Sequence, residues 1–141
     1  MINPGLRGRT VLVTGANNRL GIGAAVARAF ARLGATLFLH YHRAPPDASA
    51  RIDVYRAQQT NTADEILGDI ANVGGRAAAL EADFSDPASI PSLFDAAERF
   101  CGSVQVLVNN AATWSADTFL PSREAGRNPF IELWTDSGLA L

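Results

Sequence analysis

The chain has 141 residues, 48% of them hydrophobic and 18% charged, with a net charge of -2, which suits one domain with room for a core. The near-neutral balance gives no electrostatic case for a nucleic acid or an anionic membrane as partner. The single cysteine, Cys101, can form neither an internal disulfide nor a metal cluster, and all 12 basic residues are arginine, so no side chain offers an amine for chemistry.

The start, MINPGLRGRTVLVTG, has no apolar signal core before a strand-like run, and no apolar stretch is long enough to span a bilayer. A cytoplasmic setting is the expectation. Cys101 lies in the apolar segment AAERFCGSV and reads as a buried structural thiol.

Thr10 to Gly15, TVLVTG, is a short β-branched run and reads as a buried strand. In the following segment Ile22, Val26, Ala29, Phe30 and Leu33 recur at helical spacing, with Arg28 and Arg32 on the other face and Gly34 as the stop. ATLFLHY is a second buried strand. TADEILGDIANVGG opens on a capping box, Thr62 with Glu65, and carries Ile66, Ile70 and Val73 on one face. RAAALEAD is a weaker third strand. DPASIPSLFDAAERFCG is a third helix with Pro91 in its first turn. VQVLVNNAA is a fourth, most apolar strand.

This strand–helix alternation, with continuous apolar strands, predicts an α/β fold: a doubly wound parallel sheet of about four strands with three helices. Two segments break the rhythm. Residues 44–61 separate the second strand from its helix by more than the usual two to six residues; they read as a surface insertion with a short helix near ARIDVYRAQQ, the alternative being a flap over a bound ligand. Residues 113–141 have no clear period. Their Trp114, Phe119, Phe130 and Trp134 read as displaced core aromatics, or else as the lining of an apolar pocket.

Residues 14–23, TGANNRLGIG, follow a strand and open a helix. A helix N-terminus presents unpaired N–H groups and a positive dipole end, where a pyrophosphate can sit. Gly15 would turn the chain off the strand, Gly21 would let backbone approach a phosphate, and Gly23 would let the helix pack closely on the sheet. An acid after the second strand would hold a ribose 2′-hydroxyl, whereas an arginine there suits a 2′-phosphate. Here the residues are HYHR, with no acid until Asp47; Arg43 therefore favours NADP(H) over NAD(H). His40 reads as strand-end packing.

VLVTG…GIGAAVARAFARLGA resembles the short-chain dehydrogenase/reductase family, whose fingerprint is TGxxxGxG. Two registers fit. One puts Arg19 in the place of the middle glycine; the other keeps GIG and enlarges the loop. The eleven positions from Gly23 to Gly34 match the family's spacing, which selects TGxxxxxGIG with Asn17, Asn18, Arg19 and Leu20 in an enlarged phosphate loop before Gly21, Ile22 and Gly23. HYHR, with His42 and Arg43, is similar to the pteridine-reductase branch. EADFSD resembles the family's acid–hydrophobic pair. By that resemblance Asp83 would face the adenine amino group and the Phe84 backbone would meet the ring, unless Asp83 merely begins a turn. NNAA at 109–112 stands for the family's NNAG. Asn110, Ala111 and Ala112 would line the ribose and nicotinamide side, with Asn109 tying strands together. The resemblance covers nearly all of residues 8–112 and implies a Rossmann-type half at 1–112, followed by a tail at 113–141 that begins a substrate region.

The same resemblance implies an NADP(H)-dependent oxidoreductase that transfers hydride at a small carbonyl or alcohol, homo-oligomeric at full length. The family's acid/base tyrosine needs a lysine four residues on, because an unassisted phenol is a poor base at neutral pH. This chain has no lysine, and its tyrosines, Tyr41 and Tyr55, lie in the cofactor half. No catalytic residue and no metal ligand is assigned. The expectation is the cofactor-binding half of a longer enzyme, inactive alone, with its fourth strand left as an apolar edge. The alternatives are a non-catalytic dinucleotide-binding module and a structural fragment completed by another chain.

Overall fold

The computed structural model describes residues 4–43 and 60–112. Most of the 44–61 insertion, the helix expected near ARIDVYRAQQ, Asp47, Tyr55 and the 113–141 segment with its four aromatics lie outside the described residues. The elements are β1 (Thr10–Val13), α1 (Ile22–Arg32), β2 (Thr36–Tyr41), α2 (Asp64–Asn72), β3 (Arg76–Glu81), α3 (Ser89–Cys101) and β4 (Val106–Val108). Pro91 is the third residue of α3, where its missing N–H breaks no helical bond.

The four strands form one parallel sheet in the order β3-β2-β1-β4. The chain steps outward from β1 on one side, then crosses to its other side. β1 is central and wholly buried. Side chains alternate across it as a pleated strand requires. Val11 and Val13, with Leu37 and Leu39 of β2, face α1 and α2 in one core cluster; Leu12 and Phe38 face Leu93 and Ala97 of α3 in another. Helices thus cover both faces, and the doubly wound expectation holds for the described residues.

Two helix faces differ from the sequence expectation. The buried stripe of α1 is Gly23, Ala24, Ala27 and Ala31, while Ile22 is 75% exposed, Leu33 45% exposed, and Ala29 also exposed. Small residues win the inner face because they let the helix backbone approach the sheet; Phe30 is half-buried against the same core. In α2, Ile66 and Ile70 are fully buried, but Val73 is exposed just past the last turn.

The predicted capping box is also not formed. Ala63 is the N-cap, without a side-chain cap bond. The Thr62 hydroxyl donates to the Asp64 carboxylate (2.7 Å) and accepts the Asp64 N–H. A two-residue turn has taken the hydroxyl that a box with Glu65 would need.

β3 and β4 are the two edge strands. Among the described residues β4 pairs with β1 alone, and its Leu107 is 44% exposed. The α3 C-terminus is anchored by the Thr10 hydroxyl on the Cys101 carbonyl (2.6 Å) and by Arg76, which donates to the Phe100 carbonyl and lies over the Phe100 ring. Cys101 is only partly buried; its thiol donates to the Ala97 carbonyl, and burial pushes its pKa up. The buried thiol that its sequence context suggested is thus met only in part.

Candidate functional site

The order β3-β2-β1-β4 makes β1/β4 the switch point, where the segments after two neighbouring strands diverge. In open α/β sheets a crevice opens there at the carboxyl end of the strands. The glycine-rich turn leaves β1 at that point, and residues 109–112 leave β4 beside it.

These two segments are bound together tightly. The Thr14 hydroxyl donates to the Val108 carbonyl (3.3 Å) and accepts the N–H groups of Asn110 and Ala111 (3.0 and 2.9 Å). The Asn110 side-chain amide donates to the carbonyls of Thr14 (3.0 Å) and Gly15 (2.9 Å). The tie expected of Asn109 is therefore made by Asn110, whose amide faces the glycine turn; Asn109 is exposed.

Gly15 has φ +68°, and a Cβ there would stand 2.7 Å from the Ala111 Cα. A Cβ on Gly23 would stand 2.6 Å from the Gly15 carbonyl oxygen and from Asn110 Nδ2. Both positions need glycine because backbone meets backbone. Gly21 is the N-cap of α1 in extended conformation, and its N–H donates to the Asn18 carbonyl. Among the described residues no side chain caps α1, and no acid occupies its first turn. Its dipole end and leading N–H groups stay available to an anion.

The rest of the loop is held from two sides. Asn17 donates through Nδ2 to the carbonyls of His42 (3.2 Å) and Asn61 (3.0 Å), joining the loop to the end of β2. The Asn18 side-chain oxygen accepts the Leu20 N–H. Arg28 of α1 donates to the Arg19 carbonyl (3.0 Å) and pairs with Asp69 of α2 (2.7 Å); Arg19 itself lies 3.7 Å from Asp69. Arg19 and Leu20 thus line a groove of about 460 Å³ between α1 and α2, with Arg28, Arg32, Asp69, Asn72 and Val73. Leu20 is 86% exposed.

Beyond β2, His42 is exposed and Arg43 is paired. The Arg43 guanidinium binds the Glu81 carboxylate through Nε, which reaches both oxygens, and Nη2, at 2.6 Å, and its backbone N–H is a third donor. The pairing lowers the Glu81 pKa and raises that of Arg43. Asp83 accepts the Ser85 N–H (2.9 Å), which holds its carboxyl below its ordinary value; its side chain fastens its own turn. The Phe84 ring stacks on His40 at 3.9 Å. His40 is buried, accepts the Gly15 N–H on Nδ1 (3.3 Å) and donates from Nε2 to the Ala82 carbonyl (2.9 Å).

The sequence-derived positions therefore fall into three groups. Gly15, Gly23, Asn110 and Ala111 are in direct contact, with Ala112 exposed beside them. Asn17, His42, Arg43, Asp83 and Phe84 lie along the carboxyl edge of β2 and β3. Arg19 and Leu20 turn to the α1/α2 groove. The sequence assigns no site role to Thr14, Arg28, Asp69 or Glu81, and His40 reads there as strand-end packing. Only His40 carried a signal, a polar side chain within an apolar strand.

A parallel sheet wound on both faces, with a glycine turn at its switch point, is a Rossmann-like architecture. The chain belongs to the short chain dehydrogenase family, which it matches over residues 9–125. It is 39% identical over 108 residues to NADPH-dependent aldehyde reductase 2, chloroplastic, of Arabidopsis thaliana, covering 76% of this chain and 37% of that protein. It is 39% identical over 107 residues to pteridine reductase 1 of Leishmania tarentolae, covering 73% and 36%. Among solved structures it is similar to NADH-dependent reductase A1-R' complexed with NAD, with a TM-score of 0.62 and 28% identity over 83% of this chain and 42% of that one. The chain spans about two fifths of the length of these relatives.

Proposed function

We propose that this chain is the dinucleotide-holding half of an NADP(H)-dependent short-chain oxidoreductase. The observation that carries the reading is the uncapped N-terminus of α1, set by Gly23 hard against Gly15 and Asn110 at the switch point. The pyrophosphate would lie on the leading N–H groups of α1, between Gly15 and Gly21 in the enlarged loop, with Ile22 covering its edge. Asp83 and Phe84 would border the adenine, and Ala111 and Ala112 the ribose and nicotinamide. Asn110 acts indirectly, by fixing the turn. His42 and Arg43 would meet a 2′-phosphate, Arg43 exchanging Glu81 for the phosphate.

When bound, the nicotinamide supplies or accepts a hydride at a small carbonyl or alcohol. The chain's own residues bind and orient it. Among the described residues no lysine-assisted tyrosine is present: the sequence has no lysine, and Tyr41 packs against the α1/α2 core cluster. The acid/base group of the parent enzyme, its homo-oligomer contacts and its substrate pocket belong to a longer chain in this reading, with a cytoplasmic setting. The absence of lysine also favours a second reading, a module that holds a dinucleotide and performs no redox step.

The test is titration of the 141-residue chain with NADPH and NADH by calorimetry, with Arg43→Ala alongside. NADPH is expected to bind more tightly, and Arg43→Ala to shrink the difference. Equal affinities in the unmodified chain overturn the NADP(H) preference, and no binding of either overturns the nucleotide site. Linking the chain to a segment bearing YxxxK and recovering carbonyl reduction separates the enzyme reading from the binding module.

A further inference from the structure

Three of the segments in the candidate site converge on one imidazole. His40 sits at the carboxyl end of β2. Its Nδ1 accepts the N–H of Gly15, the first residue of the glycine turn. Its Nε2 meets the Ala82 carbonyl just before Asp83 and Phe84. Its ring face carries the Phe84 ring at 3.9 Å and 11°. An amide N–H can only donate, so Nδ1 must be bare, and the proton must be on Nε2, where a carbonyl receives it. The imidazole is therefore held neutral and in one tautomer, and it is 2% exposed.

Protonating Nδ1 would set an N–H against the Gly15 N–H. The ring or the turn must then move, and Gly15 has no slack, since Ala111 and the Asn110 amide crowd it. Burial already disfavours the charged ring, and the nearby positive charge of His42 adds to this, against the opposing bond to Ala82. The charged or titratable groups around His40 are His42 and Arg43 after its own strand, and Glu81 and Asp83 at the end of β3. Glu81 is taken by Arg43, and Asp83 by Ser85. On the β1 side it meets the Gly15 backbone N–H.

We propose that His40 is the positioning residue of the dinucleotide site, registering the glycine turn against the Asp83–Phe84 segment, and that binding is lost when His40 takes up a proton. The inference rests on the nucleotide reading above. His40 touches no ligand in this account; it acts through Gly15 and Phe84.

The experiment measures NADH affinity of the 141-residue chain from mildly alkaline to mildly acidic pH. NADH is chosen because it lacks the 2′-phosphate, which itself titrates. The Gly15 amide and the His40 imidazole are followed by NMR in the same samples. One pH unit below the His40 midpoint only about a tenth of the molecules remain competent, so the apparent Kd rises about tenfold. The Gly15 amide resonance should move with the same midpoint. His40→Asn, which keeps an acceptor near the Nδ1 position and cannot titrate, should flatten the profile. His42→Gln should retain the acid loss of binding with a midpoint no lower than in the unmodified chain, because the His42 charge only opposes protonation of His40. NADH binding that stays constant through the His40 midpoint overturns the inference and leaves the nucleotide site standing. No binding at any pH overturns both. If His40→Asn fails to fold, the unmodified chain still decides the matter, since a Gly15 amide indifferent to the His40 midpoint refutes the coupling.

Discussion

The side-chain amide of Asn110 donates to two successive carbonyl oxygens, those of Thr14 and Gly15, at 3.0 and 2.9 Å. This bidentate contact closes the end of β1 onto the end of β4. Asn110→Ala leaves both carbonyls without that partner and should destabilise the chain by about 1–3 kcal/mol. Asn110→Asp should be at least as damaging, because it turns a carboxylate oxygen toward two carbonyls. Urea unfolding of the three proteins decides it; a change within about 0.5 kcal/mol for either variant, the range of ordinary surface substitutions, would mean the contact is dispensable.

Glycine positions separate backbone contact from open space. Gly23→Ala pushes a Cβ to 2.6 Å from the Gly15 carbonyl and the Asn110 amide. Overpacking of this kind costs about 1–3 kcal/mol, and dinucleotide binding should fall with it. Gly68, within α2, meets nothing within 4 Å. Gly68→Ala should stabilise the chain by about 0.5–1 kcal/mol through helix propensity and leave binding unchanged. Thermal melts and titrations of both variants give the contrast.

Arg43 has a protein partner that competes with any phosphate. Glu81→Gln removes that carboxylate, so NADPH affinity should rise while NADH affinity changes little. Because Arg43 holds the Glu81 carboxyl below its ordinary pKa, the competition persists at neutral pH and weakens only in strongly acidic solution. Parallel NADPH titrations of the two proteins test this; a weaker NADPH complex in Glu81→Gln would mean that Glu81 orients Arg43 rather than sequesters it.

The stability of the chain should depend on His40. Burial, the largest cause, lowers its folded-state pKa below the ordinary value of 6.5. Between the two values the unfolded chain binds the proton and the folded chain does not. The contribution is therefore fully present above the unfolded pKa, is lost as pH falls from 6.5 toward the folded pKa, and levels off below it. Relative to His40→Asn, the unmodified chain should lose stability as pH falls from above the ordinary value of 6.5 toward the lowered folded-state pKa. Denaturant midpoints across that range measure it, and parallel curves for the two proteins would contradict it.

Sheet, helices and glycine turn were legible because each rests on local signals: β-branched apolar runs, helical spacing, and glycine where a strand becomes a helix. What failed needed distances. The large apolar residues of α1 select Ile22 and Leu33 as inward, yet close packing on the sheet reserves that face for Gly23, Ala24, Ala27 and Ala31. Thr62 was free to bond two residues ahead instead of three. Asn109 and Asn110 are chemically identical, and only the strand pleat decides which amide reaches Thr14. Arg43 offered a lone cation, and nothing in the order of residues indicates that the adjacent strand would bring Glu81 beside it. His40 does pack at the strand end, against Phe84, but its bond to Gly15 becomes visible only once β1 and β2 lie side by side.

The pairing of β1 with β4 also bears on how the chain assembles. β1 meets β2 with Thr10 opposite Thr36, but it meets β4 with Val11 opposite Val106, much further along the chain. Closing the longer loop carries the greater entropy cost, and non-local parallel pairing is slow. β4, three residues on an edge, should therefore be the last strand to dock and the first to detach. The two halves of the site ride on different stages of folding: Gly15 with the first unit formed, Asn110 with the last. Ligand capture and completion of the fold are then one cooperative event, so that a dinucleotide bridging the two halves acts as a tether for the final strand.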